Sequence, residues 1–382
     1  MKVCFWGEIA AVLDGKFLGG GEKQIALLAK ALVRSGHEVV YVDYTVNRDY
    51  ITSDGIKVFS IKDYNKGIKI IRTFTHRLRL VYTSLRDQNA DLYYCRIRDF
   101  RHILAFWAAR KVRAKFILGA AADLDIMGFG ARLKYLYFKD DIGLWWLTNA
   151  LFSEIVYPYL LRKSDLVIVQ HDGQKTILSK KGIKARILNN LIDLAEIPQV
   201  TVSNRHDFVY VGALDKRKGF DIFYELIQKS ARHNFKIIGE PRDKTANRIF
   251  NKLKTFENVK LLGKLPYLET YSHIANSKAL ISTSPKEGFP NIFIEAWANG
   301  IPVLTLYVDP GEVVQKYNLG FSAQGDFDLL LKSMETIENS ESFSLRSKKY
   351  VESNHVLNKD KINEIDDLFC AVVNGEKTTE QT

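Results

Sequence analysis

The chain has 382 residues, 46% of them hydrophobic and 26% charged, which excludes a disordered or collagen-like protein. At roughly 100–200 residues per domain, this length predicts two domains. Cys4, Cys95 and Cys370 are odd in number and far apart; this argues against a disulfide-built secreted scaffold, favours a reducing cytoplasm, and offers no metal-ligand spacing. The net charge of +11 is unevenly placed. Residues 1–200 carry 31 Lys+Arg against 20 Asp+Glu, whereas residues 201–382 carry 24 against 24. A basic half and a neutral half are expected to meet different partners.

Short apolar runs alternate with helical patterns along most of the chain. Met1–Glu8 carries one basic residue and an apolar run cut by Gly7-Glu8, so it reads as a first strand (Lys2–Trp6) rather than a signal peptide. A helix is predicted from about Gly21 to Ser35, with Ile25, Leu28 and Leu32 on one face and Gly36 as its stop. Strands follow at Glu38–Asp43 and near Lys57–Ile61, then a basic helix around Lys66–Arg86 and a strand at Asp91–Cys95. Helix Phe100–Lys111, strand Lys115–Leu118, a helical region up to Arg162, and strands Leu166–Gln170 and Ala185–Leu188 complete this half. From Ile142 to Leu161 a single formal charge, Glu154, interrupts twenty residues. Thr148, Asn149, Ser153, Glu154 and Pro158 thin its apolar density, so a buried or interfacial helix is expected rather than a membrane span.

The alternation lapses around 193–206 and restarts with Asp207–Val211. Helix Gly219–Ser230, strand Phe235–Ile238, helix Asp243–Lys254, strand Val259–Leu262 and helix Tyr267–Asn276 follow, then strand Ala279–Ser282, helix Pro290–Asn299 and strand Pro302–Leu306. Strands alternating with helices predict parallel sheets covered on both faces. Two consecutive doubly wound α/β domains place a ligand in a cleft at the carboxyl ends of their strands.

The sharpest chemical signal runs from Ser284 to Pro302: strand, tight loop, helix, stop. Gly288 permits close backbone approach to a ligand, and Pro290 suits the first helical position. The helix start around Phe289, Pro290 and Asn291 offers backbone N–H groups and a positive end to a diphosphate. Glu287 lies before that helix and Glu295 roughly a turn and a half inside it. Two carboxylates flanking a phosphate site suit hydroxyl groups, one set on a sugar ring and one on a ribose.

Glu287 and Glu295 form a Glu-x7-Glu pair in the setting E-G-F-P-N-x-x-x-E-A-W-x-x-G-x-P-V, which resembles the donor-binding signature of retaining GT-B glycosyltransferases, family 4 (glycosyl transferases group 1). Nearly the whole chain takes part in the resemblance. Gly19-Gly20-Gly21-Glu22, with Gly36-His37-Glu38-Val39 beyond the helix, resembles the N-terminal glycine loop of that family. Ile187–Asp193 is similar to its I-P-N-G-x-D segment, and Val211–Gly219 to its G-R-L-x-x-x-K-G loop. Val308-Asp309-Pro310-Gly311 recurs in relatives that build bacterial polysaccharides. Two positions depart from the pattern: Ala213 stands where the family has a phosphate-binding arginine, and Ala122 where it often has a histidine before Asp123.

The resemblance implies an α/β GT-B fold of two Rossmann-like domains facing a central cleft, with the C-terminal helix packing back on the N-terminal domain. Residues 1–195 are the expected acceptor-binding domain, 196–206 the linker, 207–355 the nucleotide-sugar-binding domain, 356–373 the helix crossing back and 374–382 a disordered tail. It implies transfer of a sugar from a nucleotide diphosphate sugar to a hydroxyl of a glycan or lipid-linked acceptor, in bacterial-type surface polysaccharide synthesis. Lys218 and Glu287 are the expected catalytic residues. Gly19, Gly20, Lys218, Glu287, Gly288, Phe289, Pro290, Asn291 and Glu295 are expected to bind the donor, and Asp123 and Asp125 to contact acceptor or sugar. No metal or other cofactor is expected, because Lys218 and the helix end carry the charge of the leaving diphosphate.

Each signal has a plainer reading. Gly19–Gly21 alone is a flexible turn, Lys216–Lys218 a solvated basic turn, Glu295 a surface residue, and Asp123/Asp125 a cap for the following helix. Trp145, Trp146, Tyr157 and Tyr159 read as packing residues. Rival functions are a non-catalytic nucleotide-sugar-binding protein, suggested by Ala213 and Ala122, and a GT-B-type sugar-nucleotide epimerase. No nucleic-acid recognition motif accompanies the charge. Residues 57–163 carry 20 Lys+Arg against 9 Asp+Glu. Within them Lys66, Lys69, Arg72, His76, Arg77 and Arg79 interleave with Ile70, Ile71, Phe74, Leu78 and Val81. Further on, Arg132, Lys134 and Lys139 border Tyr135–Phe138 and Trp145-Trp146. Basic residues beside aromatics predict a peripheral contact with an anionic membrane on its cytoplasmic face.

Overall fold

The computed structural model describes residues 1–7, 10–13, 19–68, 71–127, 144–197, 200, 205–337 and 340–376, with backbone alone at 10, 11 and 144–148. The segment Arg132–Lys139, Lys69, Ile70 and the tail from 377 onward lie outside this set, as do the side chains of Trp145 and Trp146. Contacts divide the chain into two units. Unit one comprises Met1–Ala121, Leu144–Leu191 and Leu357–Thr382; unit two comprises Ala122–Gly143 and Ile192–Val356.

In unit one the apolar runs become Lys2–Trp6 (β1), Glu38–Asp43 (β2), Tyr50–Ile51 (β3), Lys57–Ser60 (β4), Leu92–Arg96 (β5), Lys115–Gly119 (β6), Leu166–Val169 (β7) and Ala185–Ile187 (β8). They form one sheet in the order β3-β4-β2-β1-β5-β6-β7-β8, parallel except where β3 meets β4. Val3, Cys4, Phe5 and Trp6 are all buried, as expected for a parallel strand covered on both faces. The Gly20–Arg34 helix buries Ile25, Leu28 and Leu32 against this sheet. The C-terminal helix Lys359–Asn374 inserts Ile365, Phe369 and Val372 into the same core. His37, in the turn between the Gly20–Arg34 helix and β2, meets Asp366 of the C-terminal helix, Nε2 to Oδ1 2.5 Å. The C-terminal helix therefore packs on the N-terminal unit.

Unit two is built on Phe208–Val211 (β9), Phe235–Ile238 (β10), Val259–Gly263 (β11), Ala279–Ser282 (β12), Val303–Thr305 (β13) and Gly320–Ser322 (β14). Its six-stranded order is β11-β10-β9-β12-β13-β14, parallel throughout. Successive strand residues point to opposite faces. Phe208, Tyr210, Phe235 and Ile237 pack with Phe220, Phe223 and Leu226 on one side, while Val209, Leu280 and Val303 pack with Ile294 and Trp297 on the other.

Several boundaries differ from expectation. The predicted basic helix over 66–86 is shorter, with a π-helical turn at Thr73–Arg77 leading into Leu78–Arg86. Asp63 and Gly67 both take positive φ (63° and 92°), so the chain turns where helical periodicity alone extended it. The strands β3 and β14 were not foreseen. At three residues, β14 is too short to show a pattern, and a side chain on Gly320 would come within 2.0 Å of the Val303 carbonyl. The contact division falls at Leu191/Ile192, and Ala122–Met127 group with unit two.

Unit one also buries a histidine. His102 is 3% exposed, beside the ion pair of Asp99 with Arg101 (2.6 Å). Burial, opposed by Asp99 and assisted by Arg101, pushes the His102 imidazole down to about 4. A depressed histidine stabilises the fold fully above its unfolded value near 6.5, and that contribution is lost as pH falls toward 4. At pH 5 the loss should be about 2 kcal/mol. Denaturation of the His102→Gln protein should therefore be less pH-dependent between pH 7 and 5 than that of the parent. Equal slopes would show that His102 does not carry the effect.

Candidate functional site

In unit two β9 and β12 are neighbours, but the chain leaves them in opposite directions, toward β10 and β11 on one side and β13 and β14 on the other. Such a reversal opens a crevice at the carboxyl ends of the two strands. The loop after β9 and the loop after β12 both end there, and they carry Lys218 and Glu287.

The first loop is held by its own polar groups. Asp215 enters a 3-10 turn, Lys216–Lys218, and accepts the Lys218 N–H at 3.1 Å. Its other oxygen binds Arg217, with Nη2 at 2.5 Å. The Arg217 charge, a candidate substitute for the arginine absent at Ala213, is thus tied to Asp215. Gly219 then takes φ +67° and starts the Phe220–Lys229 helix. The Tyr210 hydroxyl donates to the Lys218 carbonyl at 3.0 Å, and Thr283 Oγ1 donates to that of Gly219 at 2.8 Å. Thr283 directly follows β12, so the two loops are hydrogen-bonded to each other before their charged side chains meet.

Those side chains do meet: Lys218 Nζ bonds Glu287 Oε1. Both are partly exposed, at 37% and 21% of their side-chain surface, so the pair is a solvent-reachable ammonium and carboxylate rather than a sealed ion pair. Burial, together with Asp215 and Glu287, holds the Tyr210 hydroxyl well above its usual range. It therefore stays a neutral donor beneath the site.

Beyond Glu287, Gly288 is buried, and the Phe289 ring lies against Trp297 and His355 with centroids 6.2 and 5.0 Å away. Phe289 thus commits its side chain to the core. Pro290 does not occupy the first helical position as its type suggested. With φ −66° and ψ 123° it caps the helix, which spans Asn291–Ala298; the extended ψ keeps Pro290 outside the helix, and its carbonyl accepts the Phe293 N–H at 3.1 Å. Glu295 is not a surface residue, being 4% exposed. It neighbours Tyr267 and Tyr271: burial and then the Glu295 charge push both hydroxyls up, that of Tyr271 to about 12.

Lys218 and Glu287 are thus brought into contact, with Gly288, Phe289, Pro290, Asn291 and Glu295 continuing from them in one loop and helix. Gly19 and Gly20 belong to unit one, where Gly19 is the extended N-cap of the Gly20–Arg34 helix, whose Gly21 faces the Ile97 side chain just beyond β5. Asp123 and Asp125 lie in a one-turn helix, Asp123–Ile126, where buried Asp125 accepts the Ala122 N–H at 3.0 Å, as a cap does. Elsewhere in unit two an open depression of about 660 Å³ is lined in part by Tyr307, Asp309, Glu312 and Lys316. The Val308–Gly311 segment that resembled the polysaccharide-building relatives borders this depression.

Residues 195–353, nearly all of unit two outside its first segment, match the family model of glycosyl transferases group 1. These residues form a glycosyltransferase domain. A human phosphatidylinositol N-acetylglucosaminyltransferase component is 24% identical over 310 residues, 76% of this chain and 60% of that protein. The chain thus spans about three fifths of the length of that curated relative. Among solved structures, the sucrose-phosphate synthase of Thermosynechococcus elongatus superposes with a TM-score of 0.74 at 14% identity, covering 98% of this chain and 100% of that one. Anabaena HepE in complex with UDP and glucose gives 0.67 at 15% identity, covering 97% and 100%. The fold is that of the GT-B glycosyltransferases, two Rossmann-like domains with parallel sheets.

Sequence reasoning did not single out Asp215, Tyr210, Thr283, Tyr267 or Tyr271. One signal was available for Asp215, since an aspartate three residues before a turn's last N–H is a capping pattern. Tyr210 acts from β9, the strand that feeds the Lys218 loop, Tyr267 and Tyr271 act from a neighbouring helix, and only the pairing of β9 with β12 brings Thr283 to that loop.

Proposed function

We propose that the protein is a retaining glycosyltransferase of family 4. It moves a sugar from a nucleotide diphosphate sugar to a hydroxyl of a glycan or lipid-linked acceptor, in surface polysaccharide synthesis on the cytoplasmic side of the membrane. The observation that carries this reading is the meeting of Lys218 and Glu287 at the β9/β12 reversal, inside a glycosyltransferase domain. The UDP and glucose held by Anabaena HepE support a nucleoside diphosphate sugar as donor.

In the step envisaged, the bond from the anomeric carbon to the diphosphate oxygen breaks and a bond to the acceptor oxygen forms on the same face. The acceptor proton passes to the leaving phosphate. Lys218 and the N-terminal end of the Asn291–Ala298 helix stabilise the charge that grows on the diphosphate. Glu287, with the backbone of Gly288 and Phe289, holds hydroxyls of the donor sugar, and Glu295 holds the ribose. A diphosphate arriving at Lys218 draws the ammonium from Glu287, which turns that carboxylate toward hydroxyl donors. No metal is assigned a part, because the lysine and the helix end supply the positive charge.

The test is a thermal-shift screen of the purified protein against nucleotide sugars, led by UDP-sugars, followed by product analysis with saccharide acceptors. A donor that binds the native state raises the melting temperature by mass action, and a new glycoside confirms transfer. Donor binding with neither glycoside nor epimerised donor would instead leave a nucleotide-sugar-binding protein, as Ala213 and Ala122 suggested. Conversion of the donor to its epimer would make the protein an epimerase.

A further inference from the structure

Among the described residues, the largest group of exposed apolar side chains lies in unit one and includes no residue assigned to the donor. Of fifteen large hydrophobics exposed among the described residues, eight come from residues 68–74, the His102–Lys111 helix and the Leu144–Lys163 helix. On the last of these, Leu151, Ile155 and Tyr159 are 54%, 75% and 44% exposed. At i, i+4 and i+8 they form one stripe. Phe152 beside them is 41% exposed, its ring 5.8 Å from that of Phe74, which is 53% exposed. Phe100 supports Phe152 from below, at 5.4 Å and 5% exposure. Among the described residues, two helical segments thus present a continuous exposed apolar face. Single exposed apolar residues need no explanation, but a contiguous patch marks a binding surface.

Charge decides what covers it. The one acid in the Leu144–Lys163 helix, Glu154, is turned away and bonded to Arg98 at 3.0 Å, and the Arg98 guanidinium in turn covers the buried Tyr157 ring at 4.9 Å. The stripe ends on exposed Arg162 and Lys163, and exposed Lys66 and Arg79 flank the Phe74 segment. An apolar stripe bordered by cations, with its carboxylate withdrawn, complements a surface that is anionic outside and apolar within. No described helix is long and apolar enough to cross a membrane.

We propose that unit one docks on an anionic lipid bilayer through this face, with Phe74, Leu151, Phe152, Ile155 and Tyr159 entering the interface and the neighbouring cations meeting lipid headgroups. The structure also changes which residues carry the contact. Val81, part of the expected interfacial helix, is fully buried, whereas Tyr159, expected to be a packing residue, is exposed. The inference does not depend on the transferase reading, since it is tested without substrate.

The experiment sediments the full chain with vesicles of phosphatidylglycerol and phosphatidylcholine, or of phosphatidylcholine alone, at 0.1 M and 1 M salt. Binding is expected to the anionic vesicles at low salt, with release at high salt, where the screening length falls from about 10 Å to about 3 Å. The double variant Leu151→Glu/Ile155→Glu should lower binding at least tenfold, and Arg162→Glu/Lys163→Glu several-fold. All four positions are exposed, and circular dichroism melts identify any variant that does not fold; Ile155→Ser then serves as the milder substitution. Protein that stays in the supernatant with anionic vesicles at low salt overturns the proposal. So does a Leu151→Glu/Ile155→Glu variant that binds like the parent, or light scattering that finds a dimer split by that variant and no vesicle binding.

Discussion

Replacing Lys218 by alanine is expected to lower sugar transfer at least tenfold, or about 1.4 kcal/mol of transition-state stabilisation. The loss should appear chiefly in kcat, because negative charge on the leaving diphosphate peaks in the transition state. The Lys218–Glu287 contact sharpens this expectation. Glu287→Ala removes the partner that holds the ammonium as well as the group assigned to the sugar hydroxyls. The two substitutions touch one interacting unit, so their effects should not add. The double variant is expected to be little worse than Lys218→Ala alone. Steady-state kinetics on the two singles and the double, with one donor, measure this directly. Near-normal turnover in Lys218→Ala would remove the lysine from the mechanism, while strict additivity would mean the two residues act independently.

Much of this was readable in the chain because the relevant physics is local. Continuous β-branched runs such as Leu166–Val169 have to be buried on both faces, and helices between them make the sheets parallel. Gly36 and Gly300, both at positive φ, end helices where their residue type predicted. The contact of Lys218 with Glu287 was not readable, because 69 residues separate them and only the pairing of β9 with β12 closes that distance. Burial was also hidden. Nothing in Glu295 itself distinguishes a surface carboxylate from one 4% exposed beside two tyrosines. The same holds for Leu151, Ile155 and Tyr159. In sequence they look like the core residues of an apolar helix, and they are legible as a surface only once Tyr157 and Leu160 are found to take the inward positions.

Gly219→Ala is expected to cost more than any ordinary glycine substitution at positive φ, and the reason can be isolated. Gly219 and Gly263 have nearly the same backbone, φ +67° and +68°, and both lie in unit two. A side chain at Gly263 would meet nothing within 4 Å, so Gly263→Ala carries only the left-handed penalty of about 1–2 kcal/mol. At Gly219 the new Cβ would stand 2.1 Å from the Thr283 carbonyl oxygen and 2.8 Å from its carbon. Backbone cannot rotate away as a side chain can, so one of the two loops has to move. That displacement breaks the Thr283 hydroxyl bond to the Gly219 carbonyl and shifts Lys218, the residue immediately before it. Relative to the parent, Gly219→Ala should lose at least about 2 kcal/mol more than Gly263→Ala in denaturant unfolding. Donor affinity should fall in Gly219→Ala and hold in Gly263→Ala, although neither change removes a charged group. Equal stabilities for the two variants would mean that the loops after β9 and β12 are not locked together at Thr283, and the rigid placement of Lys218 against Glu287 would lose its structural basis.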